Sequence, residues 1–155
     1  MIPSRIYQFA YKLAHTARTY YWRLARPTVH GCAVITRNKL GEVLLVRPSY
    51  GKMIWQWPGG GVKPDEDVVS AASREVAEET GLRVDNLHLL GQASKLLYGA
   101  TNVVSIYSAS ADGHPKPDER EILNAAWFPV DRLPDRRSIY VDEFLLRHRG
   151  VLEQG

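Results

Sequence analysis

Between Gly60 and Leu82 the chain reads GGVKPDEDVVSAASREVAEETGL, and within it Glu75, Glu78 and Glu79 stand at i, i+3 and i+4. That spacing puts three carboxylates on one face of a helix. Like charges so close repel, and a helix serving only to pack gains nothing from them. A divalent cation reverses the sign of the argument, because hard ions such as Mg2+ and Mn2+ take oxygen ligands and bridge carboxylates to phosphates. The segment therefore predicts a glycine-rich loop leading into a helix that turns its carboxylates to a metal. Val68 or Val69, Ala72 and Val76 make the inward stripe. Pro64 suits the entry, and Asp65, Glu66 and Asp67 crowd the positive end of the helix dipole. Gly81 is placed to end the helix in a left-handed conformation.

Nine positions of this segment, Gly60, Glu66, Arg74, Glu75, Val76, Glu78, Glu79, Gly81 and Leu82, match in type and spacing the pattern of the Nudix box. The chain thus resembles the Nudix hydrolases, and so many specified positions make the likeness far more specific than a lone glycine motif. The resemblance implies an α/β fold, the Nudix α/β/α sandwich with a mixed β-sheet, in which the box forms loop, helix and loop. It implies hydrolysis of a pyrophosphate bond in a nucleoside diphosphate linked to another moiety, with Mg2+ or Mn2+ as cofactor. Nucleoside triphosphates and dinucleoside polyphosphates lead among the substrates.

Carried over by position, Glu75 and Glu79 are the principal metal ligands, and Glu78 is a further ligand or the base that takes a proton from water. Glu66 supports the loop or an additional ion, and Arg74 orients carboxylates through charged hydrogen bonds. Gly59 or Gly60 offers a backbone carbonyl to metal, where a side chain would obstruct it. Outside the box, Glu121, just before Ile122, resembles an acid that such enzymes place ahead of a late strand, with Glu119 as substitute. On the substrate side, Arg47 at a strand end is a candidate for a phosphate oxygen. Tyr50 and Tyr98 are candidates for a base, Tyr98 because its place sixteen residues beyond Leu82 resembles that of a tyrosine in Nudix dinucleoside polyphosphate hydrolases. Trp57 and Phe128 sit in strand settings that favour packing.

The remaining elements follow from pattern. Val29 to Thr36 reads as a buried strand, Glu42 to Arg47 as its hairpin partner, and strands are expected at 87–94, 103–109 and 125–128, with a helix at 141–149. Asp112 to Arg120 is a polar loop. At 155 residues one domain suffices, assigned here to 28–155, preceded by an extension over 1–27.

Residues 1 to 40 hold seven Lys or Arg and no acid, and Ile6, Phe9, Leu13, Ala17, Tyr20 or Tyr21 and Leu24 recur at helical steps. An amphipathic basic helix over 4–25 is expected, ended by Pro27. Four fates compete for it: docking on the domain or on a second subunit in a homodimer, contact with an anionic membrane surface, a cleaved transit peptide, and contact with RNA. No apolar run approaches a transmembrane length. One cysteine, Cys32, excludes an internal disulfide and a multi-cysteine zinc site, and fits a cytoplasmic setting. The five histidines lack metal-ligand spacing. A nucleotide-sensing module without catalysis is the alternative from another class, against which the intact box argues; an isomerase would need further acid and thiol groups.

Overall fold

The computed structural model describes residues 4–117 and 119–152, and the side chains of residues 4–13, 15, 151 and 152 lie outside the described set. Five strands form a single mixed sheet in the order β3-β4-β1-β2-β5, with β1 at Thr28–Arg37, β2 at Val43–Pro48, β3 at Asp85–Leu97, β4 at Ala100–Ser110 and β5 at Ile122–Phe128. β1 runs parallel to β4, whereas β2 and β5, and β3 and β4, are antiparallel pairs.

Helices cover both faces, as alternation along the strands requires. Leu44 and Cys32 belong to the cluster under α2 (Val68–Thr80), and Val43, Leu45 and Ile35 to the cluster under α3 (Ile139–Leu152). α2 docks through Ala71, Ala72, Val76 and Thr80, while Val69 points outward. Full burial of Val76 alone contributes about 1.5–3 kcal/mol. The helix starts where the Asp67 carboxylate accepts from the Ser70 N–H at 2.9 Å, and stops where Gly81, at φ 70°, donates to the Ala77 carbonyl.

Only the far end of β1 pairs with β2, at Arg37 and Val43. Its near half is joined instead by the glycine-rich loop. Cys32 N–H donates to the Gly60 carbonyl, Val34 N–H to Pro58, and Val62 N–H to His30, each at 2.9 Å. The box loop is thus stitched to the sheet as a short extra strand, a role that its proline and glycines concealed in the sequence.

β3 and β4 extend well past the expected 87–94 and 103–109 because a tight turn at Tyr98 and Gly99, both at positive φ, lets pairing run to Leu97 and Ala100. The N-terminal helix α1 (Ser4–Ala25) rests its last turns on that hairpin, where a Cβ on Gly99 would lie 3.1 Å from the Arg23 Cα and the Trp22 carbonyl oxygen. Trp22 is half-buried at this contact, yet Tyr20, Tyr21 and Leu24 are exposed, so the stripe expected to pack there faces outward. Its earlier members Ile6, Phe9 and Leu13 lie outside the described side chains. Among the described residues no helix is long and apolar enough to cross a membrane.

Candidate active site

Arg74 organises the site. Its Nε and Nη2 donate to the two Glu66 oxygens at 2.7 and 2.9 Å, Nη1 donates to Glu75 at 2.8 Å and Glu78 at 3.1 Å, and Nη2 also reaches the Gly61 carbonyl at 3.0 Å. One guanidinium so ties α2 to the loop before it, using the planar donor fork that lysine lacks. These charged hydrogen bonds, with the Lys63 N–H at 3.0 Å, hold Glu66 down to about 2. The same carboxylates raise Arg74 above its ordinary value.

Each glutamate of the face has its own setting. Burial raises Glu75; Arg74 opposes that rise, and the charges of Glu78 and Glu121 add to it. Its carboxylate lies under Gly60, where an added Cβ would meet it at 2.6 Å. Glu79 accepts from the Gly59 N–H at 2.9 Å. Glu78 is the most open, its side chain 57% exposed, with Lys63 Nζ 4.0 Å away. The two glycines differ as well. Gly60 turns its carbonyl toward the Cys32 N–H, whereas Gly59 at φ 149° passes so close to β1 that a Cβ would overlap the Cys32 carbonyl. Cys32 itself is buried, and desolvation pushes its thiol up to about 11.

The late loop reaches the same place. Ser49 N–H donates to the Glu121 carbonyl at 2.8 Å and Ser49 Oγ to Arg120 at 2.6 Å, which pins the residues before β5 against the end of β2. Glu121 is there close enough to Glu75 to act on its charge. Among the described residues no three His, Cys, Asp or Glu side chains form a ready-made metal cage. Arg74 instead stands among the carboxylates and balances one of their charges.

Arg47, Tyr50 and Tyr98 are not gathered together. Arg47 shares the Val43 and Leu45 face, donates to Asn124 Oδ1 through Nε at 3.0 Å, and lies 5.8 Å over the Trp55 ring, on the α3 side of the sheet. Tyr50 is partly exposed in the loop after β2, next to the Ser49 anchor. Tyr98 sits in the β3–β4 turn beside α1. Trp57 packs in the core with its Nε1–H on the Tyr140 carbonyl, and Phe128 meets Trp55 edge-on at 4.9 Å.

Two neighbouring cavities share part of their lining, and the larger opens beside the glycine loop. One of about 500 Å³ lies against α3 and includes Gln56, Lys95, Tyr140, Glu143 and Arg147, with the Lys95 ammonium 4.5 Å over the Tyr140 ring. The other, about 1020 Å³, includes Gly59, Gly60, Gly61 and Lys63 on one side and Arg18 and Trp22 of α1 on another. Gln56, Trp57, Lys95 and Val104 line both. The sequence does not single out Gln56, Lys95, Tyr140, Arg18 or Trp22, because they come from separate elements and carry no fixed spacing.

Comparison with known proteins agrees with the geometry. Residues 26–147 match the family described as the NUDIX domain. The oxidized purine nucleoside triphosphate hydrolase of Danio rerio is 34% identical over 112 residues, 65% of this chain and 72% of that protein. The NAD-capped RNA hydrolase NudC of Pseudomonas aeruginosa is 30% identical over 134 residues, 82% of this chain but 48% of that protein, so the chain spans about half its length. Among solved structures, a MutT NUDIX hydrolase from Burkholderia pseudomallei superposes with a TM-score of 0.69 at 25% identity, covering 77% of this chain and 97% of that one. Helix α1 lies outside the matched span.

Proposed function

The chain belongs to the Nudix family, and from that premise we propose that it hydrolyses a pyrophosphate bond in a nucleoside diphosphate derivative, using Mg2+ or Mn2+ bound at the carboxylates of α2. The observation that carries this reading is the convergence of Glu66, Glu75 and Glu78 on Arg74, with Glu79 fixed by the Gly59 N–H at the same glycine turn.

The donor set fits a hard divalent ion. It consists of carboxylate oxygens, and Glu75, raised above its ordinary value first by burial and further by the charges of Glu78 and Glu121, is a half-buried acid whose charge a bound cation would stabilise. Glu75 and Glu79 are the ligands we assign, with Glu78 joining them and Glu66 and Glu121 supporting. Of the two candidate backbone carbonyls, Gly59 is favoured, since the Gly60 carbonyl already accepts from Cys32. Such an ion supplies charge neutralisation of the phosphates and acidifies a bound water.

The chain's own groups do the rest. Arg74 keeps the carboxylates aimed and is a positioning residue. Glu78, the most exposed of the three, is suited to take the proton from the attacking water. The nucleoside fits the cavity against α3, where Tyr140 offers a ring face and Gln56 an amide. Tyr50 stands at the Glu121 side of the site. Nucleoside triphosphates and dinucleoside polyphosphates are the substrate classes we put first.

Incubating the full chain with a panel of nucleoside triphosphates, dinucleoside polyphosphates and nucleotide sugars, with Mg2+ or Mn2+ and with EDTA, tests the reading. The expected result is metal-dependent release of a nucleotide and a phosphate-bearing product, identified by mass spectrometry. Absence of turnover across the panel with both metals would overturn it.

A further inference from the structure

We propose that the last turns of α1 form part of the substrate site, with Arg18 and Trp22 holding a second nucleotide of a substrate whose two nucleosides are bridged by phosphates. The proposal rests on the pyrophosphohydrolase reading above and concerns a helix outside the span matched to the family.

The placement of these residues is fixed. Arg26 N–H closes the helix on the Trp22 carbonyl at 3.0 Å, Thr101 N–H binds the Pro27 carbonyl at 3.0 Å, and the bare Cα of Gly99 lets the Trp22–Arg23 backbone settle on the hairpin. Trp22 is therefore held inward while Tyr20 and Tyr21 beside it stay exposed. Arg18, one helical turn earlier, lays its guanidinium 5.1 Å over the Trp22 ring. Both residues line the larger cavity.

The chemistry of that cavity selects its occupant. Its charged lining among the described residues is Arg18, Lys63, Lys95 and Glu66, and Glu66 is neutralised by the Arg74 fork. The Lys63 ammonium lies 4.0 Å from Glu78, and its charge also acts on Glu66. The walls are thus cationic, with an indole–guanidinium stack on the α1 side, a combination that suits a phosphate carrying a planar base. Its volume, about 1020 Å³ against about 500 Å³ for the cavity beside α3, leaves room for a nucleotide beyond the nucleoside we place there. The glycine loop lies along the larger cavity, so a phosphate chain running past Gly59 and Gly60 joins the two.

Calorimetric titration of the full chain with a methylene-bridged, non-hydrolysable dinucleoside tetraphosphate and with the matching mononucleotide analogue tests this. Arg18→Gln and Trp22→Ala are expected to weaken the dinucleotide about 10-fold, the order of a lost stacking contact, and the mononucleotide by less than about 3-fold. Tyr21→Ala, on the exposed side of the same helix, is the control and should match the wild type. Equal losses for both ligands, or no loss in either variant, would overturn the proposal. If the wild type hydrolyses no nucleotide yet the affinities divide in this way, the binding wall stands and the reaction falls; turnover without the division means the reverse. An oligoribonucleotide bearing the same bridged dinucleotide at its 5′ end, added as competitor, separates sources. Stronger displacement than by the free dinucleotide assigns the site to an RNA end, and weaker displacement to a small molecule.

Discussion

Arg74 grips Glu66, eight residues earlier in the chain, at two points, Nε to Oε1 at 2.7 Å and Nη2 to Oε2 at 2.9 Å. Through this contact the loop that carries Gly59 to Gly61 is tied to the helix that carries Glu75, Glu78 and Glu79. A lysine keeps the charge but loses the fork, so it can satisfy Glu66 or Glu75 but not both in this geometry.

Arg74→Lys should therefore lower kcat/KM on the order of 10- to 100-fold, the size typical of losing a group that orients ligands. Hydrogen exchange at residues 59–67 should quicken in the same variant. Wild-type kinetics together with wild-type exchange would remove Arg74 from its positioning role.

Gly59 and Gly60 are neighbours with different reasons for having no side chain. A Cβ on Gly59 would stand 2.1 Å from the Cys32 carbonyl oxygen, a backbone atom of the central strand, and its φ of 149° disfavours any L-residue. Gly59→Ala should destabilise the fold by about 3 kcal/mol, visible as a lower urea midpoint. The nearest atoms to a Cβ on Gly60 are those at the end of the Glu75 side chain, at 2.6 Å. That carboxylate can swing aside, so Gly60→Ala should keep most of the stability and lose turnover. Denaturation curves and kinetics on the two variants should separate in opposite senses.

Glu78→Gln and Glu79→Gln each remove one charge with little change in shape. If these residues serve as base and metal ligand, turnover falls on the order of 10²-fold or more in each. Glu79→Gln should in addition raise the Mg2+ concentration needed for half-maximal rate, while Glu78→Gln acts mainly on kcat. Near-normal turnover in both with metal present would refute the assignment.

The parts of this molecule that could be read from the sequence are those with a short repeat. α2 is regular from Val68 to Thr80, so spacing alone put Glu75, Glu78 and Glu79 on one face, and the capping residues Asp67 and Gly81 marked its ends. The alternating, β-branched runs of β1 and β2 were legible for the same reason. Pairing of Pro58 to Val62 with β1 was not, because it depends on a strand some thirty residues away and overrides the local preference of proline and glycine. Nor could spacing foresee that Trp22 rather than Leu24 turns inward, since that follows from the room left at Gly99. The cavity residues Gln56, Lys95, Tyr140 and Arg18 meet only in the folded chain.

His148 on α3 carries a buried Nε2 without a hydrogen-bond partner among the described residues, its ring edge 4.0 Å from where a Cβ on Gly91 of β3 would stand. Desolvation, reinforced by the charge of Arg147, lowers its pKa below the ordinary 6.5. The unfolded chain thus takes up the proton first as pH falls, and where the unfolded state binds more protons, stability declines with decreasing pH. The contribution of neutral His148 is intact above about pH 7 and is lost progressively from about pH 6.5 downward. His148→Leu removes this titration while filling the same space with apolar atoms. Between about pH 7 and pH 5 the melting temperature of the wild type should fall more steeply than that of the variant, the carboxylates contributing alike to both. Parallel curves would show that His148 is protonated in the folded protein as readily as in the unfolded one.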